Sequence, residues 1–305
     1  MKKLKFLLLI VLLLGASLFG FVEAKLHGVG FFEEKVHEIS ITSENTFTEM
    51  GDSFYNNVCT LENDMTLYKT TGLASKDFPF VGVFDGKGHT ITVWENAQNS
   101  LFGYIGEGGV IKNLHIVVIS ADFTEKTAAV LALENAGTIV NCKITLKSAN
   151  VHTAGHYGTV VSINKGTIKN VVVNSVFENK LLDAPGRKTV LGGICAYNYG
   201  EIESCISEVS YTAYPETLKD NIFSGTALNN SVGAICGINN ASVKNSVSIL
   251  SEDAYVADNK NKEITFVTKE NRKDAFSEEN LFETLGFDDD LWVFLNGEFS
   301  LISGD

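Results

Sequence analysis

Gly192-Gly-Ile-Cys-Ala-Tyr-Asn-Tyr-Gly-Glu-Ile-Glu-Ser-Cys205 is followed, 41 residues on, by Gly233-Ala-Ile-Cys-Gly-Ile-Asn-Asn-Ala-Ser-Val-Lys-Asn245. The two phrases share their glycine, Ile-Cys, Asn and apolar positions, so the chain repeats itself, and self-similarity has to be read before any single element. Working outward, the second half of the phrase occurs five times: Gly109-Val-Ile-Lys-Asn, Gly137-Thr-Ile-Val-Asn, Gly166-Thr-Ile-Lys-Asn, Gly200-Glu-Ile-Glu-Ser and Ala241-Ser-Val-Lys-Asn. Their first residues are spaced by 28, 29, 34 and 41 positions. An Asn stands two residues before four of them, at Asn135, Asn164, Asn198 and Asn239.

Each unit reads as strand, tight turn at Asn-x-Gly, strand, bend at Asn or Ser, strand. Gly and Asn enter left-handed backbone at least cost, which suits a turn repeated at one point of every coil. The runs between turns are short and rich in Val and Ile, and helical periodicity of useful length is missing. These features predict an all-β chain, a single-stranded right-handed parallel β-helix or solenoid whose coils stack at about 4.8 Å. Equivalent residues then form ladders. Ile111, Ile139, Ile168, Ile202 and Val243 make an inward apolar one; Asn113, Asn141, Asn170 and Asn245, interrupted by Ser204, make a polar one that bonds along the axis at the bend. Gly109, Gly137, Gly166 and Gly200 mark the turn. Cys142 and Cys205 fall two coils apart, beyond disulfide reach, and are expected to be buried ladder members; Cys195 and Cys236 fall on adjacent coils, where a bond is open.

Gly192 to Cys205 resembles the GLUG motif of bacterial surface and secreted proteins. The likeness extends to Val58-Cys-Thr-Leu-Glu-Asn-Asp-Met-Thr-Leu67, to Phe80-Val-Gly-Val-Phe-Asp-Gly-Lys-Gly-His-Thr-Ile91 and to Leu101-Phe-Gly-Tyr-Ile-Gly-Glu-Gly-Gly-Val-Ile-Lys-Asn-Leu114. It covers residues 58 to about 250, and Leu285 to Leu301 resembles the closing segment of such proteins. The resemblance implies a right-handed parallel β-helix outside the cell, in adhesins and as accessory regions of secreted proteases. The chain departs from the pattern at Ala241, where Gly is usual, and at Glu107-Gly108, where Asn-x is usual.

At the N-terminus Lys2, Lys3 and Lys5 precede the apolar run Phe6 to Leu14, a secretory leader with cleavage expected after Ala24. Gly15 and Ser17 interrupt the run short of the roughly 20 residues a bilayer needs, so no stable membrane insertion is expected once the leader is removed, although a retained anchor is the alternative. The expected organisation is leader 1–24, N-terminal cap or linker 25–57, β-helix 58–250, and C-terminal cap 251–305. The cap includes a short helix over Ser277–Gly286, given its cap Ser, acidic first turn and Gly stop, which with Asp290-Leu-Trp-Val-Phe closes the bottom coil. A formal charge of −13 and only two arginines, Arg187 and Arg272, argue against nucleic acid as a partner.

The chemistry is sparse. No His-Glu-x-x-His occurs, no CxxC pair suggests zinc, and no cofactor or metal is expected. His152 and His156 read as loop residues and His89 as a turn residue; Asp288-Asp-Asp reads as a solvated turn, lacking the alternating acids of a calcium loop. Among the acids, Asp85, Asp183 and that run stand out, but none recurs on adjacent coils. The repeat spacing grows through two insertions, 178–188 and 211–230, and loops on rigid scaffolds carry function. Asp183, Arg187, Tyr211, Tyr214 and Phe223 are therefore the candidate ligand-binding residues. The expectation is a secreted or surface adhesin-like protein that presents these loops to a glycan or surface protein. The alternatives are a carbohydrate-active β-helix enzyme whose carboxylates converge only in space, and a passive subunit of a surface assembly.

Overall fold

The computed structural model describes residues 36–49, 54–70, 72–94, 100–151, 155–179, 189–211, 231–250, 264–268, 278–295 and 298–303. These residues are all-β but for two short helices, and the repeats pair with one another in parallel. One long sheet runs from Glu38–Ile41 to Ile264–Thr268; a four-stranded and a five-stranded sheet complete the repeat, and none closes into a barrel. The arrangement is β-helix-like.

The register follows the predicted apolar spacing. Ile111, Ile139, Ile168, Ile202 and Val243 stand opposite one another on successive strands, and all are fully buried. The ladder extends back through Phe84 and Cys59 to Ile39, which the repeat pattern alone does not reveal. Each fully buried Ile contributes about 1.5–3 kcal/mol, so the column is a main source of cohesion between coils. Two residues past each of the five, Asn113, Asn141, Asn170, Ser204 and Asn245 all have φ between 46° and 53°. The bend is therefore a left-handed residue repeated in every coil, where Asn costs least.

The Asn-x-Gly turn uses its glycine differently. Gly109, Gly137, Gly166 and Gly200 are not in the left-handed region. Instead the glycines stack: a Cβ on Gly137 would lie 2.2 Å from the Gly109 carbonyl oxygen, on Gly166 2.0 Å from that of Gly137, and on Gly200 2.1 Å from that of Gly166. The same oxygens accept from the next coil, Thr138 N to Gly109 O at 2.8 Å and Thr167 N to Gly137 O at 2.9 Å. The expectation of left-handed turn glycines is thus corrected to one of close backbone approach.

The bonding along the axis also sits elsewhere than expected. In the bend ladder only Asn141 Nδ2 to Asn113 Oδ1 is made, at 3.4 Å; Asn113 donates to Asp85 and Asn170 to the Gly286 carbonyl. The continuous ladder is Asn135, Asn164, Asn198 and Asn239, where each Nδ2 donates to the next Oδ1 at 2.9 Å. Asn135, Asn164 and Asn198 are fully buried.

Phe47, on the helix Glu44–Glu49, packs edge-on against Phe84, and Phe54, Phe80 and Phe102 fill the core beside them. The C-terminal helix Glu278–Leu285 stops at Gly286, whose φ of 64° is the left-handed stop. Beyond it the antiparallel hairpin Trp292–Leu295 and Glu298–Leu301 packs Trp292, Phe287 and Phe299 on Val172, Ile206 and Val247. Those three face outward in register. The tail thus lies on the outer face of the long sheet, from the Ile302 carbonyl beside Gly88 to Val247, rather than closing the bottom coil.

All five cysteines are buried free thiols. Cys142 pairs with Val171, and burial pushes the Cys59, Cys142 and Cys205 thiols up to about 12, as inert core residues. Cys195 and Cys236 are register neighbours.

Candidate functional site

The insertions are anchored at one corner. Phe123, Val151 and Asn179 are in register at the end of the long sheet, and Tyr211 is in register with Phe177. On the far side, Thr127, His156, Val190 and Ser231 are in register at the start of the four-stranded sheet. The chain therefore leaves and re-enters at hydrogen-bonded neighbouring strands in each coil, and the two insertions share one edge. Of the predicted ligand residues, Tyr211 ends the strand Ile206–Tyr211; Asp183, Arg187, Tyr214 and Phe223 lie outside the described residues.

At this edge three rings meet. His156 opens the strand His156–Gly158, so it is not a loop residue, and its ring stands edge-on to Tyr197 at 4.8 Å. His152 lies outside the described residues. Tyr197 in turn lies parallel to Tyr199, with centroids 6.1 Å apart and an interplanar angle of 8°. Tyr199 is 51% exposed, and it is the middle residue of an Asn-x-Gly turn where Ala136 and Lys165 stand in earlier coils. Burial and then the neighbouring Tyr199 raise the Tyr197 phenol, so its hydroxyl remains a neutral donor at physiological pH. Glu134 and Lys165, paired at 2.6 Å, flank the patch. Rigid aromatics with polar tips beside charged groups form an amphipathic contact surface.

The other flagged residues are structural. Burial alone would raise Asp85, but the Lys87 amide, the Lys112 ammonium at 2.9 Å and the Asn113 amide together hold it below the usual carboxylate value. It heads the bend ladder. His89 forms a turn and lies 3.4 Å from Asp64. Asp288 accepts from the Asp290 and Trp292 amides, and the three aspartates are exposed, as a solvated turn requires.

His115 lies on the outer face between Thr90 and Thr145, 3.3 and 3.4 Å from their hydroxyls. Burial, aided by the Lys143 charge and opposed by Asp64, lowers it to about 4. The unfolded chain, with an ordinary value of 6.5, takes up this proton first. Stability should therefore fall as pH drops from about 6.5 to about 4, and the loss should be absent above that window. A His115→Gln variant should flatten this part of the urea-midpoint profile; an unchanged profile would place the titration elsewhere.

No known family matches the sequence, and no curated protein matches it. Its backbone is similar to that of a candidate immunoglobulin A1 protease from Bacteroides ovatus, solved by crystallography at 1.30 Å, with a TM-score of 0.57 over 90% of this chain and 94% of the other at 16% identity. At that identity the likeness concerns the fold.

Proposed function

We propose that the chain is a secreted or cell-surface, adhesin-like binding protein, a right-handed parallel β-helix of GLUG type that holds its two insertions towards a glycan or protein partner. The observation that carries this is the shared edge: both insertions are rooted on neighbouring strands where His156, Tyr197 and Tyr199 form an aromatic row. The leader supports export, and the acidic balance supports a partner other than nucleic acid. Among the described residues no helix is long and apolar enough to cross a membrane. The likeness to a candidate protease is met by the shared scaffold, since a rigid repeat body serves binding and catalysis alike.

The test is binding of residues 25–305 to a glycan array and to extracellular matrix proteins, alongside a reducing-sugar assay. Replacing Tyr197 and Tyr199 together by Ala should weaken binding about tenfold or more, as two rigid aromatic contacts are lost. Sugar release without retained binding would replace this reading with the enzymatic one.

A further inference from the structure

Among the described residues the C-terminal hairpin packs on one outward column of the long sheet. The covered column is Thr90, His115, Lys143, Val172, Ile206 and Val247. Two residues along each strand a second column runs parallel to it, Thr66, Thr92, Val117, Thr145, Asn174 and Glu208. Between this column and the hairpin lies a groove of about 100 Å³, lined by Lys143, Thr145, Asn174, Glu208, Glu298 and Phe299 among others. Glu208 is only 5% exposed, though it lines the groove, and Asn174 Nδ2 donates to it at 3.3 Å. Glu208 thus faces the groove as a nearly buried carboxylate, a placement that carboxylates seldom take without polar partners.

At the other end the surface becomes aromatic. Tyr68 and Trp94 follow Leu67 and Val93, which are register partners, and the Trp94 amide bonds the Leu67 carbonyl at 3.2 Å. The two residues are 63% and 57% exposed, just past the ends of adjacent strands. Isolated apolar groups are common on any protein surface, whereas two large exposed rings following register-partner residues mark a place of contact.

We propose that this strip, from Tyr68 and Trp94 to Asn174 and Glu208, is a binding site for a linear neutral polysaccharide lying along the stack of strands. Strands about 4.8 Å apart present one side chain per step, comparable with one hexose of an extended chain. Four steps from Thr92 to Glu208 span about 19 Å, room for a short run of sugars. Apolar sugar faces lie on the rings, while Thr92, Thr145, Asn174 and Glu208 offer hydroxyl, amide and carboxylate partners to sugar hydroxyls. The hairpin forms one wall. Charge favours a neutral chain: the protein is acidic overall and the floor ends in a carboxylate, so an anionic glycan would be repelled.

The strip lies on the long sheet, whereas Tyr197 and Tyr199 lie on and just after the strand Cys195–Asn198 of the five-stranded sheet, so the two readings are probed by separate variants and fail separately. Affinity electrophoresis of residues 25–305 in barley β-glucan, galactomannan and arabinoxylan gels is the test. Retardation is expected in at least one gel, reduced about tenfold by Trp94→Ala with Tyr68→Ala and by Glu208→Gln, and unchanged by Tyr197→Ala with Tyr199→Ala. Both rings are exposed and Glu208→Gln keeps its shape, so folding, followed by circular dichroism, should be intact. Binding to cello- and mannooligosaccharides should strengthen with each added sugar up to about the length of the strip. No retardation in any gel overturns the proposal, as does retardation lost only in the Tyr197 and Tyr199 variant, which would assign glycan binding to the insertion edge.

Discussion

Gly166→Ala should destabilise the fold by about 3 kcal/mol, although by backbone entropy alone it should stabilise it. Gly166 is not in the left-handed region, so alanine there carries no conformational penalty and restricts the unfolded chain. What opposes it is contact. The new Cβ would lie 2.0 Å from the Gly137 oxygen, 2.7 Å from the Ala136 carbonyl carbon and 2.9 Å from the Gly137 nitrogen, all main-chain atoms that no rotamer change can move. Relief requires coils to separate where Thr167 N bonds Gly137 O at 2.9 Å, with further coils on both sides. The chain itself carries the control. At the last coil Ala241 occupies this position, and there the equivalent bond, Ser242 N to Gly200 O, is 3.2 Å. Among the described residues the strand Ser242–Lys244 pairs on one side only, so it can lift. Gly108→Ala makes the contrast, with nothing within 4 Å but a φ of 84°, and should cost about 1–2 kcal/mol from conformation alone. Urea midpoints of the two variants decide: a neutral or stabilising Gly166→Ala would mean the coils yield there freely.

That contrast also shows what the sequence could and could not convey. A glycine repeated at one point of a coil is legible as a constraint, but the letter does not say whether the constraint is a positive φ or a close approach. Gly166 has the second, while Asn113, Asn141 and Asn170 carry the left-handed bend. The apolar ladder was readable because an Ile or Val at one position of every repeat is buried most simply against its equivalents in the neighbouring coils. The tail was half readable: the helix before Gly286 has start and stop signals, but its docking face is written in other coils. Val172, Ile206 and Val247 replace the Thr90, His115 and Lys143 of earlier coils at an outward position, and that change was the available sign that something covers it. The candidate site was less legible. Tyr197 and Tyr199 sit inside the very phrase that identifies the repeat, where x of Asn-x-Gly reads as turn filler, and their meeting with His156 crosses coils. Asn174 and Glu208 differ from Thr145 and Val117 in a column that only the register defines. Asp183, Arg187, Tyr214 and Phe223 are on insertions outside the described residues.

Asn164→Ala should cost about 3 kcal/mol, and Asn164→Asp more at neutral pH. Asn164 is fully buried between two like neighbours, accepting from Asn135 Nδ2 and donating to Asn198 Oδ1, both at 2.9 Å. It also reaches the Gly166 and Glu201 carbonyls at 3.3 Å. Alanine removes all of these, leaving Asn135 Nδ2 only the Thr167 carbonyl at 3.4 Å in a fully buried position. An unsatisfied buried amide is what makes the loss large, since the bond itself contributes only about 1 kcal/mol net. Aspartate keeps the shape and still accepts from Asn135. It has no proton to give Asn198 Oδ1, so two oxygens face each other in a dry interior with a charge on one. Protonation of that carboxyl restores a donor, hence the Asn164→Asp deficit should shrink as pH falls, opposite to the loss expected at His115. Thermal and urea unfolding of the two variants from neutral to mildly acidic pH give the comparison. If Asp and Ala prove equally destabilising and independent of pH, the direction of the amide ladder carries no energy, and the column is held by stacking and backbone pairing alone.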